Sequence, residues 1–250
     1  MTKFYNMKNP IKNQSILIIA CLLFASTSCA QWGKSIKGNG NMTTVTRTTS
    51  DYDGVKCAGS FDFVLVEGTE GNITIEGEEN LIEYIITEIQ NGALVVKVKN
   101  DVNLKTSRNK SIKITIPFKE IENVSLAGSG DLWNDNVLAS DNLDISLTGS
   151  GDIILNIKAS KTKASITGSG DVTLKGTSNK LEASVTGSGD FYGFDLEVND
   201  TDVSVTGSGD AKVVCNENLK ARVTGSGDIM YKGNPKTEDT KVAGSGSIKK

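Results

Sequence analysis

One tetrapeptide governs what this chain can become. Gly-Ser-Gly-Asp occurs at 128–131, 149–152, 168–171, 187–190, 207–210 and 225–228, and a seventh copy at 244–247 ends in Ser247. Successive copies are 21, 19, 19, 20, 18 and 19 residues apart. A unit this short cannot close a core alone, so it must stack on its neighbours. Around the third copy, Ala164, Ile166, Gly168, Gly170, Val172 and Leu174 share one parity, while Ser165, Thr167, Ser169, Asp171 and Thr173 share the other. Period-two alternation of this kind marks half-buried strands. The expected fold is therefore all-β: a right-handed parallel β-solenoid (β-helix) of about 19–21 residues per coil, with degenerate N-terminal coils.

A coil of this length has no room for one straight strand through the motif, so the chain must bend at Gly-Ser-Gly. The two glycines then read as inward corner residues with no space for side chains inside the bend. Polar stretches such as Thr177-Ser178-Asn179-Lys180 and Asn199-Asp200-Thr201-Asp202 read as the turns that bring each coil back. The pattern continues upstream in degraded form, where Gly59-Ser60-Phe61-Asp62 looks like a copy whose second glycine has become Phe61.

The expected organisation is an export signal at 1–29, a linker at 30–42, degenerate coils or a cap at 43–125, and the regular solenoid at 126–250. Lys3, Lys8 and Lys12 precede an apolar stretch at 16–25 that is too short to span a bilayer comfortably. Two endings stay open. Ser28-Cys29-Ala30 fits ordinary signal cleavage, whereas Ser26-Thr27-Ser28-Cys29 reads as a loose lipobox that makes Cys29 a lipidation site. Gly38-Asn39-Gly40 lacks the strand and helix of a phosphate loop and reads as flexible linker.

Removing residues 1–29 leaves 24 basic against 30 acidic residues, a net charge of −6. With this mildly acidic balance, nucleic acid is not an expected partner. The chain contains no histidine, which removes the commonest general base and metal ligand. Cys57 and Cys215 read as buried small hydrophobes, with a disulfide between them left open.

Several columns are candidate sites. Asp131, Asp152, Asp171, Asp190, Asp210 and Asp228 would stack about 4.8 Å apart. Neighbouring charges at that spacing repel by somewhat under about 1 kcal/mol in water. The favoured reading is that each carboxylate accepts backbone N–H groups at the corner, with a calcium ladder as the alternative. Ser146/Thr148, Ser165/Thr167, Ser184/Thr186 and Ser204/Thr206 form a hydroxyl array that Arg222/Thr224 interrupts. Trp133, Tyr192, Phe194 and Tyr231 are candidate sugar-stacking rings, weighed against core packing for Phe191 and Tyr231.

The chain also resembles the bacterial head GIN domain family, named for autotransporter adhesins and common in Bacteroidetes. The resemblance rests on Lys37-Gly38-Asn39-Gly40-Asn41, Gly59-Ser60-Phe61-Asp62, Glu79-Asn80-Leu81-Ile82 and the Gly-Ser-Gly-Asp repeats. It implies a β-helical fold and an envelope or extracellular location, and says little about activity. No barrel-forming segment is expected at the C-terminal end. The functional expectation is a non-catalytic exported scaffold, located in the cell envelope or outside the cell, presenting a rigid β-face to a glycan or protein. Alternatives are a polysaccharide-active β-helix enzyme and a calcium-stabilised surface solenoid. No catalytic residue, cofactor or metal is assigned. Lipid anchoring and a homo-oligomer through the final coil are further expectations.

Overall fold

The computed structural model describes residues 33–250. The export segment and Cys29 lie outside the described residues. The described residues open with β1 (Lys34–Lys37) and β2 (Met42–Thr48), then make a first coil from β3 (Gly54–Gly59) and β4 (Asp62–Glu67). An excursion follows through β5 (Asn72–Glu78), a single helical turn α1 (Glu79–Ile82), β6 (Ile85–Gln90), β7 (Ala93–Val98), β8 (Val102–Lys105) and β9 (Lys113–Phe118). The chain then enters the regular coils through β10 (Asn123–Gly128), β11 (Leu132–Asn134), β12 (Leu138–Gly149), β13 (Ile153–Gly168), β14 (Val172–Gly187) and β15 (Phe191–Gly207). It finishes with β16 (Ala211–Val214), β17 (Asn218–Gly225), β18 (Ile229–Lys232), β19 (Thr237–Gly244) and β20 (Ile248–Lys249). The result is a β-solenoid of about 7 turns.

Each coil crosses two main faces, joined at the Gly-Ser-Gly-Asp corner. Every pairing from β10 onward is parallel, and the corner glycines stay in register from Gly59 through Gly128, Gly149, Gly168, Gly187, Gly207 and Gly225 to Gly244. Inward positions stack in the same way. Ile166, Val185, Val205 and Val223 line one column, and Ile153, Val172, Phe191, Ala211 and Ile229 line another. All of these are buried, in one cluster that runs from Tyr52 to Tyr231. Closing that cluster is the main favourable term, at about 2 kcal/mol per large apolar side chain removed from water.

The first layers do not stack in chain order. β3 pairs in parallel with β7 on one side and β10 on the other, and β4 sits likewise between β9 and β11. The layer built by 93–118 therefore lies outside the layer built by 54–67. Antiparallel pairings then end the stack: β6 on β7, β5 on β9, and β2 on β5. α1 buries Leu81 and Ile82 against this end. Antiparallel strands and a helical turn here cover what a parallel coil would leave as a bare apolar end.

Three expectations need correcting. Residues 33–42 are not a free linker: β1 pairs with β8, and Gly38 N donates to Lys105 O at 2.8 Å. The turns expected around Ser178 and Thr201 do not separate strands, because β14 and β15 run through them as extended backbone. There the coil bends around buried hydroxyls. Thr162 Oγ1 lies 2.9 Å from Ser178 Oγ, Ser178 Oγ donates to Lys180 O, and Thr201 Oγ1 donates to Val214 O. Serine and threonine suit this bend because their short side chains bond nearby backbone.

The third correction concerns the corner glycines, whose constraint runs along the stack rather than into the core. A Cβ on Gly170 would lie 2.0 Å from Gly151 O, and one on Gly168, which has φ +126°, would lie 2.3 Å from Gly149 O. The final coil is polar in part: Glu238 and Thr240 take the inward register positions of Leu219 and Ala221, while Val242, in register with buried Val223, is exposed.

Candidate functional site

At each corner the chain satisfies its own donors on the two neighbouring coils. Ser169 N and Gly170 N both donate to Gly149 O, at 2.8 and 3.1 Å, and Val172 N donates to Asp190 O at 3.0 Å. One donor remains, the amide of the aspartate itself, and the carboxylate of the preceding coil takes it. Asp152 N donates to Asp131 Oδ1, Asp171 N to Asp152 Oδ1, Asp190 N to Asp171 Oδ1, Asp210 N to Asp190 Oδ1 and Asp228 N to Asp210 Oδ1, all within 2.7–3.1 Å. The ladder ends where Ser247 donates both N and Oγ to Asp228 Oδ1. The carboxylate thus stands in for a backbone carbonyl that the turn has rotated away, as the corner-bonding reading expects.

Stacked carboxylates do not all titrate alike. Burial pushes the Asp171 carboxyl up; the Asp190 N–H pulls it down, while the charges of Asp190 and Asp152 add to the rise. Hydrogen bonds from Ser247, with Lys249 nearby, hold Asp228 below the usual range against a small burial effect. Tyr192 Oη donates to Asp190 Oδ2 at 2.8 Å, and this bond, ahead of burial and the aspartate charges, lifts the phenol to about 12. Among the described residues no three His, Cys, Asp or Glu side chains cluster as a metal site.

The outward hydroxyl columns are in register. Ser125, Ser146, Ser165, Ser184 and Ser204 share one, which passes to Arg222 and Lys241; Thr148, Thr167, Thr186, Thr206 and Thr224 share the next. Beside them runs a charged column of Asp144, Lys163, Glu182, Asp202, Lys220 and Asp239. Ion pairs join Lys180 to Glu182 at 2.8 Å and Lys220 to Asp202 at 2.7 Å, and Arg222 pairs with Asp239. An open groove of about 430 Å³ lies where the hydroxyl pattern breaks, lined in part by Lys180, Asp200, Asp202, Asn218, Lys220 and Asp239.

The aromatic candidates divide. Phe191 and Tyr231 are buried in the core. Trp133 and Tyr192 share an outward column with Ile154 and Thr173 between them. Phe194 occupies the strand where the register shifts. Lys212 lies 5.0 Å from the Tyr192 ring and Lys232 4.1 Å from the Phe194 ring, so both faces already carry a cation. Cys57 and Cys215 are both free and buried, and burial raises both thiols.

Three features escaped the sequence reading. Glu70 accepts Tyr52 N and Lys119 N, each at 3.0 Å, and so ties together the entry to β3 and the exit from β9. Glu78 accepts Gly40 N, Ser107 N and Ser107 Oγ, while Asn80 bonds Asn39 N and Lys37 O. Burial pushes the Glu78 carboxyl up, but the Ser107 and Gly40 bonds, with Lys110 nearby, outweigh it and hold it low. These partners lie 18–49 residues apart without any repeat to announce them. The third feature is a concentration of cations around β1 and β8.

The corner ladder and continuous columns define a parallel β-solenoid repeat protein whose recurring motif is a scaffold device. Within that class the chain belongs to the family described as "Putative auto-transporter adhesin, head GIN domain", which matches residues 51–235. It is similar to a solved structure described as a "putative adhesin" from Bacteroides fragilis, at 25% identity and TM-score 0.81, covering 86% of this chain and 99% of that one. It is also similar to a "putative lipid binding protein" from Parabacteroides distasonis (28% identity, TM-score 0.72, 86% and 99% covered). A "putative adhesin" from Parabacteroides merdae is a further relative (26% identity, TM-score 0.69, 86% and 98% covered). No curated protein sequence matches the chain. No helix among the described residues is long and apolar enough to cross a membrane.

Proposed function

We propose that the protein is a non-catalytic, exported scaffold of the cell envelope or cell surface, tethered through a lipidated Cys29, whose outward β-face engages a glycan or protein. The in-register hydroxyl and charged columns carry this reading. They hold side chains at fixed intervals on hydrogen-bonded backbone, so little order is lost when a repetitive ligand lies along them. The open groove lined by Asp200, Asp202, Asn218 and Lys220 offers a recess beside these columns. Its carboxylates, amide and ammonium groups suit hydroxyl-rich partners. Weak contacts repeated along the face would add by avidity rather than by one deep pocket.

Catalysis is disfavoured on chemical grounds. The chain has no histidine, and the groove carboxylate of Asp202 is engaged by Lys220. Glycan-array binding of the mature protein tests the proposal. The expected result is binding to hydroxyl-rich or charged glycans that weakens about tenfold or more in Asp200→Arg. Absence of binding to every glycan and to surface proteins would refute the binding role, and release of unsaturated sugars from acidic polysaccharide would identify a lyase instead.

A further inference from the structure

Positive charge gathers around β1 and β8. Between residues 97 and 113 six cations accompany one acid, Asp101, in a chain with 30 acidic and 27 basic residues overall. The pairing of β1 with β8 adds two more, placing Lys37 beside Lys105 and Lys34 beside Val102. Lys34, Lys37, Lys99, Lys105, Arg108 and Lys110 are all exposed, and none of the ion pairs among the described residues includes them. Glu78, ionised beside Lys110, offsets one of these charges while its oxygens bond Gly40 and Ser107. Glu79 and Asp101 are the remaining acids beside the arm. Like charges gathered this way repel and raise the local potential, which an anionic surface would relieve.

The chain enters the fold at the same place. Lys34 N donates to Asp101 O at 2.6 Å, and Asn80 and Glu78 fasten residues 37–40 to the body. Cys29 precedes Gly33 by four residues, a reach of about 14 Å at full extension. A lipid on Cys29 would therefore bring this end, and no other, to the bilayer.

We infer that the basic end formed by β1, β8 and the 106–110 turn is a membrane-contact surface that takes anionic phospholipid headgroups. Docking there leaves the hydroxyl face and the β19–β20 end free for a partner. The tether rests on the lipid reading of Cys29, whereas the charge argument does not. Such contacts act over about 10 Å at 0.1 M salt and are screened above it.

The test uses the full exported chain reconstituted into phosphatidylcholine vesicles, with and without phosphatidylglycerol, containing a spin-labelled quencher lipid. A fluorophore is placed at Asn103→Cys on β8 or at Thr240→Cys on β19. The expected result is quenching at position 103 roughly threefold stronger in anionic vesicles, lost in high salt and in Lys34→Glu/Lys37→Glu/Lys99→Glu/Lys105→Glu, with little at position 240. Equal quenching in both vesicle types, or stronger quenching at 240, overturns the proposal. The mass of the mature chain reports separately on Cys29. An unlipidated chain that still shows anion-dependent quenching retains the docking surface and loses the tether; a lipidated chain quenched equally in both vesicles does the reverse.

Discussion

The regular coils from β12 to β19 and the layers before them solve the same problem by different means. Both must satisfy backbone donors at corners while stacking strands in parallel. In the regular coils one carboxylate per turn serves the next turn, so every solution is a copy of the last. In the N-terminal layers Glu70 and Glu78 each serve a junction that occurs once, and the layers stack out of chain order. A repeat can be extended by copying, but it cannot end itself. The end requires unique contacts, and these also bring the chain's scattered cations together.

The sharpest way to break this comparison is to exchange the residue that differs at the same corner position. Phe61 is buried where later copies have glycine, and its amide neighbour Asp62 N donates to Ile112 O rather than to an aspartate below. No glycine corner lies beneath Phe61, so a side chain fits. Gly170→Phe should prevent folding altogether, read as loss of the cooperative urea transition, because its Cβ alone would meet Gly151 O at 2.0 Å. Phe61→Gly should cost about 3–5 kcal/mol through the cavity it leaves. Gly40→Ala, with φ +82° and nothing within 4 Å, should cost only about 1–2 kcal/mol from backbone strain.

Acid titration should separate the two regions by sign. Glu78 is held below its unfolded value of about 4.3, so its contribution is complete above that value and is lost as pH falls through the folded pKa. Asp171 is raised above about 3.9, so its contribution is present below that value and is lost as pH rises through the folded pKa. Urea melts across the acid range should show Glu78→Gln removing part of the low-pH loss of stability. Asp171→Asn should instead raise stability near neutral pH slightly, by up to about 0.5 kcal/mol, since the amide oxygen still accepts Asp190 N without the charge. Asp171→Ala, which leaves that N–H without its acceptor, should cost about 1–3 kcal/mol.

The smallest effect is expected at the thiols. Cys57 and Cys215 are buried and unpaired, so reductant should leave the melting temperature unchanged. Neither should react with a thiol reagent before unfolding, and a mass consistent with a 57–215 disulfide would contradict the register that places Cys57 between Val96 and Leu126.

Much of the scaffold was legible because repetition turns one local pattern into many. The alternation around Ile166 and Val185 identified the buried face, and the motif spacing identified the register. The glycine constraint was misassigned because a single coil shows only its inside and outside. The carbonyl that excludes a Cβ at Gly170 belongs to Gly151, one coil away. Ser178 and Thr201 misled for a related reason: polar residues in sequence suggest a loop, yet their hydroxyls are satisfied internally at a bend. The cations at Lys37 and Lys105 are separated by 68 residues and meet only because β1 pairs with β8. Of the candidate sites, the aspartate and hydroxyl columns could be read from spacing alone. The groove could not, because it draws on more than one coil; the cation run at 97–113 stands in the sequence, but its joining with Lys34 and Lys37 does not.

Hydrogen exchange at the corners tests the central claim most directly. If the aspartate ladder is the rule by which coils stack, the amides of Asp171, Asp190 and Asp210 should exchange only with cooperative unfolding of the solenoid. In Asp171→Ala the Asp190 amide should lose protection while Asp171 and its neighbours in β13 keep theirs. Corner amides that exchange as fast as an unstructured chain, or an Asp190 amide indifferent to Asp171→Ala, would contradict the account.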